Sequence, residues 1–311
     1  MQENLLDSDL KTPLIMQQGI NKYDWLLQIL IWLGIFSGFF IVAQLLSGTI
    51  ILLYYKSVDL KEIASNAYDL NVLRYAQMLT TIIGFLLPAL IFSKLKDHPF
   101  TKYSNANIGF NPVFLILVPA LLFTFYPLIN LSFFVNKLMV WNDWMQSSQN
   151  EYQVIVDALL KDNNWFVFNL NLVTIAFLPA ICEEWIFRGT LQKLLSEKLN
   201  IHIAVFMASV IFSLIHFEFS GFLPRIVLGM FLGYLFYYSG NLWTNIFAHA
   251  VNNGSQVIFM YLSNKGIYKM NVDNPEMPKT WELIVYTLGF IILWYIFYHF
   301  AQKNKKSNFA Q

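Results

Sequence analysis

Charge is missing from this chain in long blocks. Between 24 and 55 the only charged residue is Asp24, at the very edge. Mostly apolar blocks recur near 72–93, 112–136, 165–182, 203–217, 222–239, 242–263 and 281–301. About 20 apolar residues in helical form suffice to cross a bilayer core of about 30 Å. Inside lipid every backbone N–H and C=O needs a partner within the protein, which leaves helices and closed barrels. The alternation of barrel strands is absent. The blocks therefore predict an all-α fold, a polytopic transmembrane helix bundle of about eight spans. The first block is long enough to tilt, and 203–217 is short for a full crossing and reads as an incomplete or sheltered helix.

Composition narrows the partners. Only 13% of the residues are charged and the net charge is +1, against roughly 25% charged in an ordinary soluble domain. No basic field is present to attract nucleic acid. Cys182 is the single cysteine, so an internal disulfide framework and a multi-cysteine zinc site are both excluded. Residues 1–22 form a polar tail without the basic n-region, short apolar core and small-residue cleavage site of a signal peptide. Residues 23–164 hold the N-terminal membrane helices, with 141–164 suited to an interfacial helix. Residues 165–263 hold three polar clusters, and 264–311 comprise a loop, the last span and a basic tail. Lys303, Lys305 and Lys306 in that tail favour both termini on the cytoplasmic side.

The informative residues are polar groups in apolar surroundings, because a charge near mid-bilayer costs roughly 2.5–3.5 kcal/mol or more. The first cluster is Cys182-Glu183-Glu184-Trp185-Ile186-Phe187-Arg188 at the end of the fourth span. Adjacent carboxylates repel, and Arg188 lies one turn after Glu184 on the same face, where it can pair with it. Glu183, about 100° around the helix, is left freer to act as a base. A neutralised boundary cluster would use the same residues. The second cluster is Phe212-x-x-x-His216, near the end of the short fifth span. His216 can be a base, a metal ligand or a hydrogen-bonded core residue. The third lies on the seventh span, where Asn245, His249, Asn252 or Asn253, and Gln256 form a polar stripe; amides and histidines also act as glue between membrane helices. Together the clusters supply a base to activate water and donors for a developing oxyanion, which are the parts that amide hydrolysis needs.

Glu183-Glu184-x-x-x-Arg188, Phe212-x-x-x-His216 and His249-x-x-x-Asn253, in this order on apolar helices, resemble the three motifs of the CPBP family of CAAX proteases and bacteriocin-processing enzymes. That family is also called the Abi family and includes the type II CAAX prenyl endopeptidases. The resemblance covers roughly residues 165–263 and marks them as a CPBP/Abi-type catalytic core, with the active-site cavity within the membrane. It implies a membrane-embedded endopeptidase of the glutamate type, in which Glu183 with His216 activates water and His249 with Asn253 holds the oxyanion. Glu184 then supports the site through Arg188, and Phe212 is a structural support. The implied partners are the lipid bilayer and a peptide or protein substrate at the membrane, with a lipidated C-terminal tail as one class. The implied setting is a multi-pass protein of a bacterial cell membrane. The expected mechanism uses no cofactor; zinc held by His216, His249 and Glu183 is the alternative. A non-catalytic membrane binding or immunity protein, and a transporter, are the rival classes, although no related halves with broken helices are visible.

Other groups are weighed against this set. Cys182 reads as a small hydrophobe rather than a nucleophile. Glu218 faces away from His216 on a helix but could assist from a loop. Arg225 reads as snorkelling toward the interface. Pro179, four residues before Glu183, predicts a kink that angles the catalytic turn.

Overall fold

The computed structural model describes residues 19–65, 69–139, 142–162, 164–267 and 277–309. The greater part of the polar tail 1–22, and residues 268–276 of the loop after the seventh predicted span, lie outside them. Among the described residues the protein is helical and contains no strand.

All eight apolar blocks form helices. They are α1 (Trp25–Tyr55), α2 (Asn71–Leu95), α3 (Phe114–Lys137), α5 (Trp165–Ser196), α6 (Ile201–Leu214), α7 (Phe222–Ser239), α8 (Leu242–Asn264) and α9 (Thr280–Phe309). The amphipathic helix α4 (Asp143–Leu160) occupies the segment predicted to be interfacial. Six of the helices, α1, α2, α3, α5, α7 and α9, are long and apolar enough to cross a membrane. The chain is thus a polytopic helical bundle and an integral, multi-pass membrane protein. Two predicted spans fall outside the six for different physical reasons. Helix α6 has 14 residues, too few for a bilayer core. Helix α8 has 23 residues, but its amides and histidine lower its hydropathy.

Local chemistry sets the helix ends. Asn142, Asn164, Asn200 and Asn241 each accept a backbone N–H from the first turn of α4, α5, α6 and α8, satisfying donors that a helix start leaves open. Gly240, in the left-handed region at φ 63°, ends α7 and lets α8 begin at once. Asn241 also donates to the carbonyls of Ile108 and Gly109, which ties the α2–α3 connection to the start of α8.

Packing separates buried helices from peripheral ones. Leu26, Leu30, Leu45 and Leu53 of α1 are exposed, and so are Ile284, Leu288, Ile291 and Tyr295 of α9, a pattern suited to lipid. One apolar core gathers Trp32, Phe36, Phe92, Ile186, Phe187 and Leu194. A second gathers Phe114, Val118, Leu121, Leu232, Leu235 and Phe297. Between them α6 and α7 meet closely at Gly229-x-x-x-Gly233, since a Cβ on Gly229 would stand 2.9 Å from Ser209 Cβ and one on Gly233 2.8 Å from Val205 Cγ1. Small residues at this spacing bring membrane helices into contact.

Helix α5 continues past Cys182, as expected for a fourth span that runs on into a more polar extension ending near Leu199: it passes through the charged cluster to Ser196, because Glu184 and Arg188 neutralise each other within it. Its hydrogen bonding widens to a π-helix at Leu172–Phe177 and again at Phe187–Gln192, so Glu183 and Glu184 lie on the stretch between two π segments. Such segments are frequent at functional sites. The first precedes Pro179, which has no N–H to offer the carbonyl four residues back.

Candidate active site

Glu184 is the centre of a buried polar network. Its Oε1 accepts from Arg188 Nη1 at 2.9 Å and lies 2.8 Å from His249 Nδ1; its Oε2 accepts from Asn245 Nδ2 at 3.2 Å. Glu184, Arg188, Asn245 and His249 are all buried. Charge explains the selection. An unpaired carboxylate here would be costly, and a guanidinium one turn on cancels it. Arg188 is held further by donation from Nη2 to the carbonyl of Gly229 at 3.1 Å and by the ring of Phe212, 4.9 Å from its guanidinium carbon. The α6–α7 contact at Gly229 therefore also shapes the carboxylate's surroundings.

The two histidines are fixed in the same sense. A carboxylate only accepts, so His249 Nδ1 carries the hydrogen that faces Glu184. A carbonyl also only accepts, so His216 Nδ1 carries the hydrogen directed at Phe212 O, 2.7 Å away. Each ring thus presents Nε2 for chemistry. His249 Nε2 lies 3.8 Å from Glu183 Oε2, too long for a direct hydrogen bond. Among the described residues Glu183 makes no side-chain hydrogen bond, in contrast to its saturated neighbour Glu184. His216 sits in the turn after α6 and is not within ion-pair distance of Glu183. It joins the network through Phe212, whose ring centre lies 4.9 Å from that of His216 and 6.0 Å from that of His249.

Asn253 is placed by Pro179. Deprived of an N–H from residue 179, the carbonyl of Ile175 instead accepts from Asn253 Nδ2 at 3.1 Å. Asn253 Oδ1 accepts from Asn252 Nδ2 at 3.0 Å, and Asn252 Oδ1 accepts from Tyr126 on α3 at 3.4 Å. The amide keeps a second Nδ2 hydrogen. The predicted polar stripe on α8 is therefore directed inward at Asn245, His249 and Asn252, whereas Gln256 is exposed.

Other predictions fare differently. Cys182 is fully buried in the apolar core. Arg225 does not reach outward: its guanidinium pairs with the carboxylate of Glu218, which is itself buried. Glu218 stands in the loop after His216, where Phe217 adopts a left-handed φ of 51°. The role of Asn245 as a ligand of Glu184 was not assigned from sequence, although its place on the stripe was visible. Among the described residues no three His, Cys, Asp or Glu side chains converge to hold a metal ion. His216, His249 and Glu183 do not form such a group in this arrangement and so do not fit a zinc ion.

Comparison with known proteins singles out the same region. Residues 164–255 match the family model described as type II CAAX prenyl endopeptidase Rce1-like, a span that contains every residue of the three motifs. The chain is also 32% identical over 89 residues to a Bacillus subtilis (strain 168) protein named "Putative membrane peptidase YdiL". That match covers 29% of this chain and 36% of the relative, so the chain matches about a third of that protein. No solved structure matches the chain significantly.

Proposed function

We propose that the protein is an intramembrane endopeptidase that hydrolyses a peptide bond of a membrane-associated or lipidated protein. One observation carries the proposal: Glu183, without a hydrogen-bond partner, faces Nε2 of a histidine whose other nitrogen is locked by the neutralised Glu184–Arg188 pair. The similarity to a peptidase family over the same residues supports it.

The chemistry follows from the roles available. A single water oxygen can lie within hydrogen-bond distance of both Glu183 Oε2 and His249 Nε2 across their 3.8 Å separation. Glu183 takes a proton from that water as its oxygen attacks the scissile carbonyl carbon, and His216 Nε2 orients the water. The carbonyl oxygen becomes an oxyanion facing His249 and the remaining Nδ2 hydrogen of Asn253. For His249 to donate from Nε2 its ring carries both protons, and the Glu183 carboxylate facing Nε2 balances that charge, Glu184 being already paired with Arg188. Collapse of the intermediate breaks the C–N bond, and Glu183 returns its proton to the leaving nitrogen. Water is the only reactant besides the peptide. The proposed setting is a bacterial cell membrane, and the Lys303, Lys305 and Lys306 tail favours the cytoplasmic side for both termini.

The test is a comparison of protein termini in membranes of cells carrying the wild type or Glu183→Ala. New termini should arise only with the wild type. Identical termini in both would overturn the proposal, and a partner retained by the variant would favour a binding protein.

A further inference from the structure

The segment that carries His216 is held by more polar contacts than a surface loop requires. Immediately after His216 the chain enters the left-handed region at Phe217, φ 51°, a conformation uncommon for a bulky residue with a Cβ and persistent only where its surroundings impose it. Three groups impose it here. The first is Glu218, buried, which accepts from Gly221 N at 2.9 Å and from the Ser220 hydroxyl. The second is Arg225 at the start of α7, which pairs with the Glu218 carboxylate and donates to the Glu218 carbonyl. The third is Asn136 near the end of α3, 1% exposed. Its Nδ2 donates to the carbonyls of Phe219 and Ser220 at 2.9 and 2.8 Å, and its Oδ1 accepts from Leu223 N at 3.0 Å.

Two further details show that the arrangement is built rather than incidental. Asn136 uses its two amide hydrogens on the loop and its carbonyl on the first turn of α7, all more than 80 residues away in sequence. A Cβ on Gly221 would stand 2.5 Å from Glu218 Oε2 and 3.0 Å from Arg225 Nη2, so the ion pair occupies the space that any side chain at 221 would need. Helix α6 adds Ser213, whose hydroxyl donates to the carbonyl of Phe222 at 2.8 Å. The loop is thus tied to α3, α6 and α7 at once.

We propose that Asn136, Glu218 and Arg225 are positioning residues that act through His216. They hold the left-handed turn that keeps the imidazole against the Phe212 carbonyl and aims Nε2 at the reacting centre. The catalytic part of this proposal rests on the peptidase reading, whereas its structural part does not.

The experiment is done on the full chain in detergent with 15N-labelled histidine, the His216 signal being assigned with His216→Gln. In the wild type His216 should show a single tautomer protonated at Nδ1. Arg225→Met and Asn136→Leu should each convert that signal to a mixture of tautomers, and Arg225→Lys should restore most of it. On any peptide the wild type cleaves, the same two variants should lose about a hundredfold in kcat, the scale of a small misplacement of a reacting group, with KM nearly unchanged. If Arg225→Met or Asn136→Leu does not fold, Asn136→Asp, which keeps the acceptor for Leu223 N and loses both donors, takes its place with the same expectation. Folded variants with an unaltered His216 signal would overturn the proposal, as would a loss confined to KM. A wild type that cleaves nothing while the tautomer results hold would defeat the peptidase reading and leave the loop clamp standing.

Discussion

His249 and Glu184 form one unit: Nδ1 stands 2.8 Å from Oε1, and the same oxygen accepts from Arg188 at 2.9 Å. Two neighbouring carboxylates are thereby given different tasks. Glu184 is consumed by structure, and Glu183, one residue earlier, keeps its lone pairs.

The first prediction separates those tasks by removing the unconsumed carboxylate. Glu183→Gln should abolish cleavage and leave the thermal unfolding midpoint in detergent close to that of the wild type, since no hydrogen bond of the folded state is lost. A drop of the midpoint comparable to that of Glu184→Ala would show that Glu183 is structural instead.

Glu184→Ala should be a folding defect as well as a loss of activity. It strands Arg188, which is 1% exposed, and removing one partner of a buried ion pair costs about 3–5 kcal/mol. The midpoint should fall by many degrees, or the protein should fail to accumulate in the membrane. A stable, inactive Glu184→Ala protein would contradict the network described above.

The α6–α7 contact makes a third prediction. Gly229→Ala pushes a methyl group against Ser209 and displaces the carbonyl that receives Arg188; overpacking of this kind costs about 1–3 kcal/mol. Gly34→Ala on α1, where a Cβ meets nothing within 4 Å, should be neutral or slightly stabilising. Thermal unfolding of the two variants side by side checks the contrast.

A fourth concerns metal. A strong chelator should leave cleavage unchanged, because among the described residues no three His, Cys, Asp or Glu side chains converge on a common point. Activity lost to the chelator and restored by zinc would reverse this expectation.

Much of this molecule could be read before its structure. The apolar blocks were legible because lipid offers a backbone almost no alternative to a helix. The Glu184–Arg188 pair was legible because residues four apart share a helix face. Distances between helices are not written in spacing, however. Nothing in the order of the motifs says that the nitrogen near Glu183 belongs to His249 and not to His216. Arg225 was misjudged for a related reason: its partner Glu218 lies in a turn, and a left-handed residue at Phe217 leaves no signature in a sequence without glycine there. The extension of the fourth span beyond Cys182 was legible too, because a charge cluster need not end a helix when its charges cancel. Asn136 gave no signal, because a lone asparagine near the end of an apolar helix has many uses.

The two π segments of α5 carry a consequence for how such a helix can change over generations. Each wide turn takes up roughly one residue more than an α-turn would. Glu183 and Glu184 therefore depend on a phase set by the wide turn before them, and Arg188 on one set within the second wide turn itself. Were Leu172–Phe177 to narrow to α-helical bonding with its residues unchanged, the extra residue would rotate the following stretch by about 100°. Glu184 would turn away from α8, with no change in composition and hardly any in hydropathy. The helix would still span the membrane, and the site would be gone. The width of the turn at Leu172–Phe177, more than the identity of its apolar side chains, is the quantity under constraint.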